Sequence, residues 1–326
     1  MERLLREAAS KVAPALQAVV VDDFSESFAR AVGDATADTW FDLASLTKPL
    51  CTTTLTMLLC ERGQLLLDEE VRAGVRVHHL LSHSSGLPAW QPLYQQLNSS
   101  DRRREMIDLI LQTPLECAPG EKSVYSDLGF LLLGDFLERK TSKRLDALFA
   151  KEIADPLGLE MRFGPIEAAL CAPTENDLRG SVHDENAQAM AGVAGHAGLF
   201  APAHAVSRLL RSLLASFADR KSDVSRLVSP ETVRRFFTPC KVLHSTWCLG
   251  WDRPSPMGSQ AGDRWPKTGV GHLGFTGCSL WLDPARGRAV ALLSNRVCPS
   301  RANNEIKNFR PRFHDAVLAA LDSHLT

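Results

Sequence analysis

No stretch of the chain approaches the roughly 18 consecutive apolar residues of a membrane-spanning helix, so no span is expected. The N-terminus, Met1 to Ala18, interleaves charged and apolar residues and lacks the uninterrupted apolar core of a signal peptide. No CxxC pair occurs among the eight cysteines, which are scattered over the chain; free thiols in a reducing compartment are expected rather than a disulfide framework. These readings favour the cytoplasm, although a periplasmic chain with its signal removed would read the same. The formal net charge is only -1, with acids and bases mixed, so a polyanion would not be attracted over a long range and nucleic acid is not an expected partner. The one basic run, Arg102-Arg103-Arg104, belongs to an amphipathic segment with Met106, Ile107, Leu109 and Ile110 and reads as a solvated helix face. There is no GxSxG, which disfavours an α/β-hydrolase, and no HExxH.

What is present is an ordinary globular composition, 44% hydrophobic and 23% charged over 326 residues. A large core can be buried. Glu2 to Leu16 reads as an amphipathic helix, Ala18 to Val21 as a buried strand, and Ser27 to Val32 as its partner. Pro49 to Glu61 reads as a helix with proline in its first turn. The middle of the chain is helix-periodic over 103–111, 128–138, 141–153 and 203–218, with a long irregular stretch from Pro165 to Ala201 suited to shaping a site. Strand character returns at Trp247–Trp251, Ser279–Leu282 and Ala289–Ser294, and a closing helix runs over 306–321. The expected class is α/β (α+β). An antiparallel sheet built from both termini and flanked by N- and C-terminal helices (1–62 with 238–326) would receive a mainly helical insert (63–237).

Ser45 and Lys48 are three apart, so at a helix start they share a face and can touch. The free N–H groups and dipole of a helix N-terminus, with a neighbouring ammonium, would favour an activated serine. The pair alone is close to chance. It gains weight from Tyr125-Ser126-Asp127, which opens an apolar helix, and from Gly271-His272-Leu273-Gly274, before a late strand. Serine, lysine and these two elements, in this order, form the signature of β-lactamases and penicillin-binding proteins. The chain resembles that superfamily, in particular its class C-like branch with tyrosine in the second motif. His79-Leu80-Leu81-Ser82-His83-Ser84-Ser85-Gly86-Leu87-Pro88, Tyr125 to Phe130, Gly250-Trp251-Asp252 and Phe275 to Pro284 extend the resemblance over about residues 40 to 296.

The resemblance implies a β-lactamase/transpeptidase-like fold and a serine hydrolase cleaving an amide or ester through a Ser45 acyl-enzyme. β-lactamase, D-alanyl peptidase and carboxylesterase activities are the options, and a slowly acylating penicillin-binding or sensor protein is the alternative. It assigns the proton work to Lys48 and Tyr125, an oxyanion hole to the backbone N–H groups of Ser45 and Phe275, and substrate contacts to Asp127, His272, Leu273, Gly274 and Phe275. Three residues depart from the family pattern: Asp127 for the usual asparagine, His272 for lysine and Leu273 for threonine. A carboxylate at Asp127 should hold Lys48 protonated and shift the base role to Tyr125, whose phenolate Lys48 in turn favours. Lys267-Thr268-Gly269 is a literal KTG, yet the run from Val270 to Gly277 separates it from the strand, so His272 is preferred as the third-motif residue. Gly269 to Gly274 formally spells GxGxxG, but no helix follows it. His79 and His83, and the His183-Asp184-Glu185 and His196 pair of sites, suit loop-ordering roles better than zinc; His196 could approach the site. No metal or cofactor is called for. The expected partner is a small molecule or short peptide, and the sequence leaves the oligomeric state open.

Overall fold

The computed structural model describes residues 1–323. Its sheet starts from the valine-rich segment β1 (Ala15–Asp22), whose β-branched residues suit a strand buried on both faces. β1 lies centrally and pairs antiparallel with β2 (Ser25–Gly33) on one side. Two short strands, β3 (Phe41–Asp42) and β4 (Arg162–Phe163), join β5 (Leu199–Ala201) in a separate sheet of order β3-β5-β4. The chain returns to the main sheet as β6 (Val270–Leu273), β7 (Ser279–Asp283) and β8 (Arg288–Ser294). The order is β2-β1-β8-β7-β6, with every neighbouring pair antiparallel.

The two-residue period of a strand sorts side chains between two layers. Leu16, Ala18 and Val20 face helices α1 (Glu2–Ala8) and, at the other end of the chain, Ile306–Ser323, meeting Leu5, Phe309, Phe313 and Val317. Ala15, Val19 and Val21 face the opposite way, into a core shared with α2 (Thr54–Glu61), α3 (Val77–Leu81), α4 (Arg102–Gln112), α5 (Asp127–Thr141) and α6 (Ala203–Ala218). The closing helix Ile306–Ser323 is α7. Among the described residues, no helix is long and apolar enough to cross a membrane.

Two expected elements differ. The helix read over Glu2 to Leu16 ends at Ala8; Pro14, which can neither donate a backbone hydrogen bond nor let its predecessor stay helical, rules out a helix through to Leu16, and β1 has begun by Ala15. Trp247–Trp251 forms no strand. Its backbone is taken by other partners: Cys248 donates to the Trp251 carbonyl at 2.8 Å and Gly250 to the Leu81 carbonyl at 2.8 Å.

Three close approaches place the site. The turn between β6 and β7 is pinned from α7 by Arg310, which donates to the carbonyls of Gly274 (2.9 Å), Gly277 (3.1 Å) and Cys278 (2.8 Å). Thr276 Oγ1 in that turn donates to the Asp42 carbonyl at 2.7 Å, tying it to β3. The loop before β5 crosses α5 at Gly195, where an added Cβ would stand 2.1 Å from the Phe130 carbonyl and 3.0 Å from Gly134 Cα. Gly195 in turn accepts from Thr52 Oγ1 at 2.6 Å. Gly195→Ala is therefore expected to destabilise the protein by about 1–3 kcal/mol through overpacking and to lower activity, because the next residue touches Lys48. Chemical denaturation of the variant checks this; unchanged stability would contradict the close approach.

Candidate active site

The chain leaves β3 into a turn that a buried carboxylate holds. Asp42 Oδ1 accepts the Ala44 N–H at 2.8 Å and Oδ2 accepts the His183 N–H at 2.7 Å. Burial pushes the Asp42 pKa up, and those two backbone N–H groups act against it. Ala44 adopts φ of 47°, a left-handed conformation that costs a Cβ-bearing residue about 1–2 kcal/mol. Ser45 follows at once in a single 3₁₀ turn, Ala44–Leu46, and Lys48 begins a π-helical stretch, Lys48–Thr53, that runs into α2. Ser45 thus stands half-buried at the head of a helical segment, lining a cavity of about 790 Å³.

Lys48 is fully buried. Its Nζ donates to Ser45 Oγ at 3.0 Å, to Asp127 Oδ1 at 2.7 Å and to the His196 carbonyl at 3.3 Å. The ammonium also lies 4.8 Å from the Tyr125 ring centre. Burial works against its charge, but Asp127 and then Tyr125 outweigh that, holding the Lys48 pKa above its ordinary value. Asp127 reaches this point because Ser126 caps α5, its Oγ accepting the Gly129 N–H at 3.1 Å.

Tyr125 is buried beside Lys48. Burial pushes its phenol up to about 12, despite the opposing pull of Lys48 and the Ser45 hydrogen bond, and Asp127 adds to the rise. At neutral pH the phenol is therefore held in its neutral form. His272 lines the cavity beside it, with rings 5.9 Å apart, and burial followed by the charge of Lys48 lowers the His272 pKa to about 3. The third motif therefore presents a neutral ring. Lys267 is exposed and does not line the cavity, whereas Leu273, Gly274 and Phe275 do. Among the described residues, the backbone N–H groups of Ser45 and Phe275 have no internal acceptor.

His196 comes close, but with its backbone. The carbonyl meets Lys48 while the ring Nε2 pairs with Asp184 at 2.8 Å. Burial favours protonation of Asp184, yet His196, the Ala187 N–H and Lys48 bring its pKa down to about 2. Asp127, Asp184 and His196 offer ligand-type atoms within 4.8 Å of one another, a spacing that admits a metal ion. Lys48 and His196 already supply their partners. Sequence reasoning missed Asp42, which holds the turn before Ser45 without lining the cavity, and the cavity-lining Trp90, Trp247, Arg296, Lys307 and Arg310. No local motif marks these residues, since long-range packing brings them to their places.

The family model described as Beta-lactamase matches residues 1–308. The chain belongs to the Beta-lactamase family. It is a serine hydrolase, and its fold is β-lactamase/transpeptidase-like. An N-acetylmuramyl-L-alanine amidase of Bacillus subtilis is 32% identical over 304 residues, covering 79% of this chain and 68% of the relative. A putative D-alanyl-D-alanine carboxypeptidase of Escherichia coli is 32% identical over 310 residues, covering 80% and 70%. Among solved structures, a β-lactamase from Mycobacterium bovis superimposes with a TM-score of 0.71 at 21% identity, over 97% of this chain and 98% of the other.

The buried histidines make stability pH-dependent. The unfolded chain takes up a proton near pH 6.5 at each histidine, whereas folded His272 resists until about pH 3. Between these values the unfolded state binds more protons, so stability falls as pH falls. Replacing His272 by Asn, which keeps a donor near the Nδ1 position, should flatten the decline in melting temperature between pH 6.5 and 4. An unchanged slope would contradict the neutral ring.

Proposed function

We propose that the protein hydrolyses an amide bond in a short peptide or a peptide-bearing cell-wall fragment, through an acyl-enzyme on Ser45. The observation that carries this reading is Lys48 Nζ bridging Ser45 Oγ (3.0 Å) and Asp127 Oδ1 (2.7 Å) at the head of a deep cavity. As Ser45 Oγ attacks the carbonyl carbon, its proton passes to Lys48 while Lys48 yields one to Asp127. Lys48 stays an ammonium, and the negative charge moves from Asp127 to the oxyanion. The Ser45 and Phe275 N–H groups receive it; one such donor is worth about 2.7–4 kcal/mol in the transition state. Tyr125 protonates the departing amine and recovers its proton from Asp127 through Lys48. The proton that left Ser45 is thereby balanced by the one on the amine. Water then cleaves the ester by the reverse relay.

The cavity supports a peptide. Asp184 and Glu185 line it together with Lys307 and Arg310. Burial brings the Arg310 pKa down to about 10, and its side chain bonds only backbone carbonyls among the described residues. Opposed charges suit a substrate carrying both a carboxylate and amide or amine donors. Both curated relatives are named for amide cleavage. All eight cysteines are free thiols, in keeping with a reducing compartment.

A parallel assay of a D-Ala-D-Ala peptide, a muramyl peptide, an ester and a β-lactam, with Ser45→Ala as control, tests the reading. Turnover of at least one peptide amide, abolished in Ser45→Ala, is expected; turnover confined to the ester or the β-lactam would overturn it. Asp127→Asn should lower kcat at pH 7 about 100-fold by removing the proton acceptor. It also removes the carboxylate that raises the Lys48 pKa, so activity should recover as pH rises and Lys48 deprotonates. A kcat–pH profile like that of the parent would refute the relay.

A further inference from the structure

Tyr125 lies on an extended segment between residues 122 and 126 that belongs to no helix or strand. One residue on the facing turn grips it from both sides. The His83 carbonyl accepts the Val124 N–H at 2.8 Å, and the His83 ring Nδ1 accepts the Ser126 N–H at 3.1 Å. The Ser126 N–H belongs to the peptide plane that follows Tyr125, so this second bond sets the direction in which the tyrosine's backbone leaves. The imidazole also packs against the Tyr125 ring at 4.6 Å, against Phe130 at 5.1 Å, and edge-on against Trp247 at 4.3 Å. His83 is 1% exposed and has φ of 53°, a left-handed conformation. Strain of this kind persists only where surroundings enforce it.

The tautomer follows from the contact. A ring nitrogen that accepts an N–H must offer its lone pair, so the single proton of the neutral ring sits on Nε2. An imidazolium would turn a donor toward the donor of Ser126 and break the grip. Burial, then the charge of Lys48, keeps the ring neutral. Nε2 is buried and finds no hydrogen-bond partner. That unpaired donor is a cost that a residue serving only to fill space would not incur.

We propose that His83 is the positioning residue for Tyr125: its Nδ1 lone pair fixes the peptide after the tyrosine and so holds the phenol against Lys48 and Ser45. The inference rests on the reading of Tyr125 as the proton donor. A phenol oxygen stands ~6 Å from its Cα, so a backbone rotation of about 10° carries it about 1 Å, a misplacement that can cost about 100-fold in rate.

The test compares three variants by steady-state kinetics on the substrate found above. His83→Phe keeps a ring and loses the acceptor. His83→Asn loses the ring and keeps an acceptor, its Oδ1, close to the Nδ1 position. Tyr125→Phe is the control for the underlying reading. Expected are a drop of about 100-fold in kcat for His83→Phe with KM within about 3-fold of the parent, and recovery to within about 5-fold in His83→Asn. If Tyr125→Phe is as active as the parent, the reading of Tyr125 fails. If Tyr125→Phe is impaired but His83→Phe is not, or His83→Asn is as slow as His83→Phe, the positioning role alone is overturned. Should either His83 variant fail to fold, ¹⁵N NMR of the imidazoles in the parent protein at pH 7 decides. An Nε2–H tautomer is expected for His83, and an Nδ1–H tautomer or an imidazolium overturns the proposal.

Discussion

A lysine ammonium with no exposure to solvent needs a compensating charge and acceptors, or it loses its proton. Lys48 has them: the Asp127 carboxylate, the Ser45 hydroxyl and the His196 carbonyl. Each acceptor comes from a different part of the chain, and much of the architecture can be understood as the means of bringing them together. α2 with its π-helical start carries Lys48, the cap on α5 delivers Asp127, and the loop before β5 is pressed onto α5 at Gly195 so that the next carbonyl meets the lysine. Removing the Asp127 carboxylate would leave a buried charge uncompensated, a loss of about 3–5 kcal/mol.

The same pair sets the chemistry around it. Burial lowers the pKa of His272 and His83 and Lys48 adds to it; the same ammonium opposes the rise at Tyr125 and helps hold Asp184 ionised. The result, next to Ser45, is a buried ammonium paired with the Asp127 carboxylate and flanked by the neutral rings of His272 and His83. The proposed relay uses these preformed hydrogen bonds in place of a free base beside Ser45. Asp42 does comparable work on the backbone. By binding Ala44, His183 and Thr276 together it joins β3, the long loop and the β6–β7 turn around the serine.

How much of this could be read from the sequence depends on the range of the interaction. The spacing of Ser45 and Lys48 suggested their contact but was close to chance alone; several motifs in order made the family and fold class legible. Strands β1, β7 and β8 and helix α6 announced themselves by periodicity, and the structure has them within a few residues. The ionisation of Tyr125 was not legible, because it depends on burial, which outweighs the nearby cation whose effect the sequence did suggest. Trp247–Trp251 has strand-like residues, yet its hydrogen bonds go to a turn and to Leu81, a competition between tertiary partners that local pattern does not encode. His196 was singled out for its ring, whereas its carbonyl makes the contact with Lys48.

The account stands on Ser45 forming a covalent acyl intermediate while Lys48 stays charged. The most direct measurement is acid quench of a turning-over reaction at pH 7, followed by mass spectrometry of the digested protein. The account predicts an acyl mass increment on the peptide bearing Ser45, formed at a rate no slower than kcat and lost when substrate is exhausted. An increment on another residue, or turnover with no covalent adduct on millisecond quench, would contradict it.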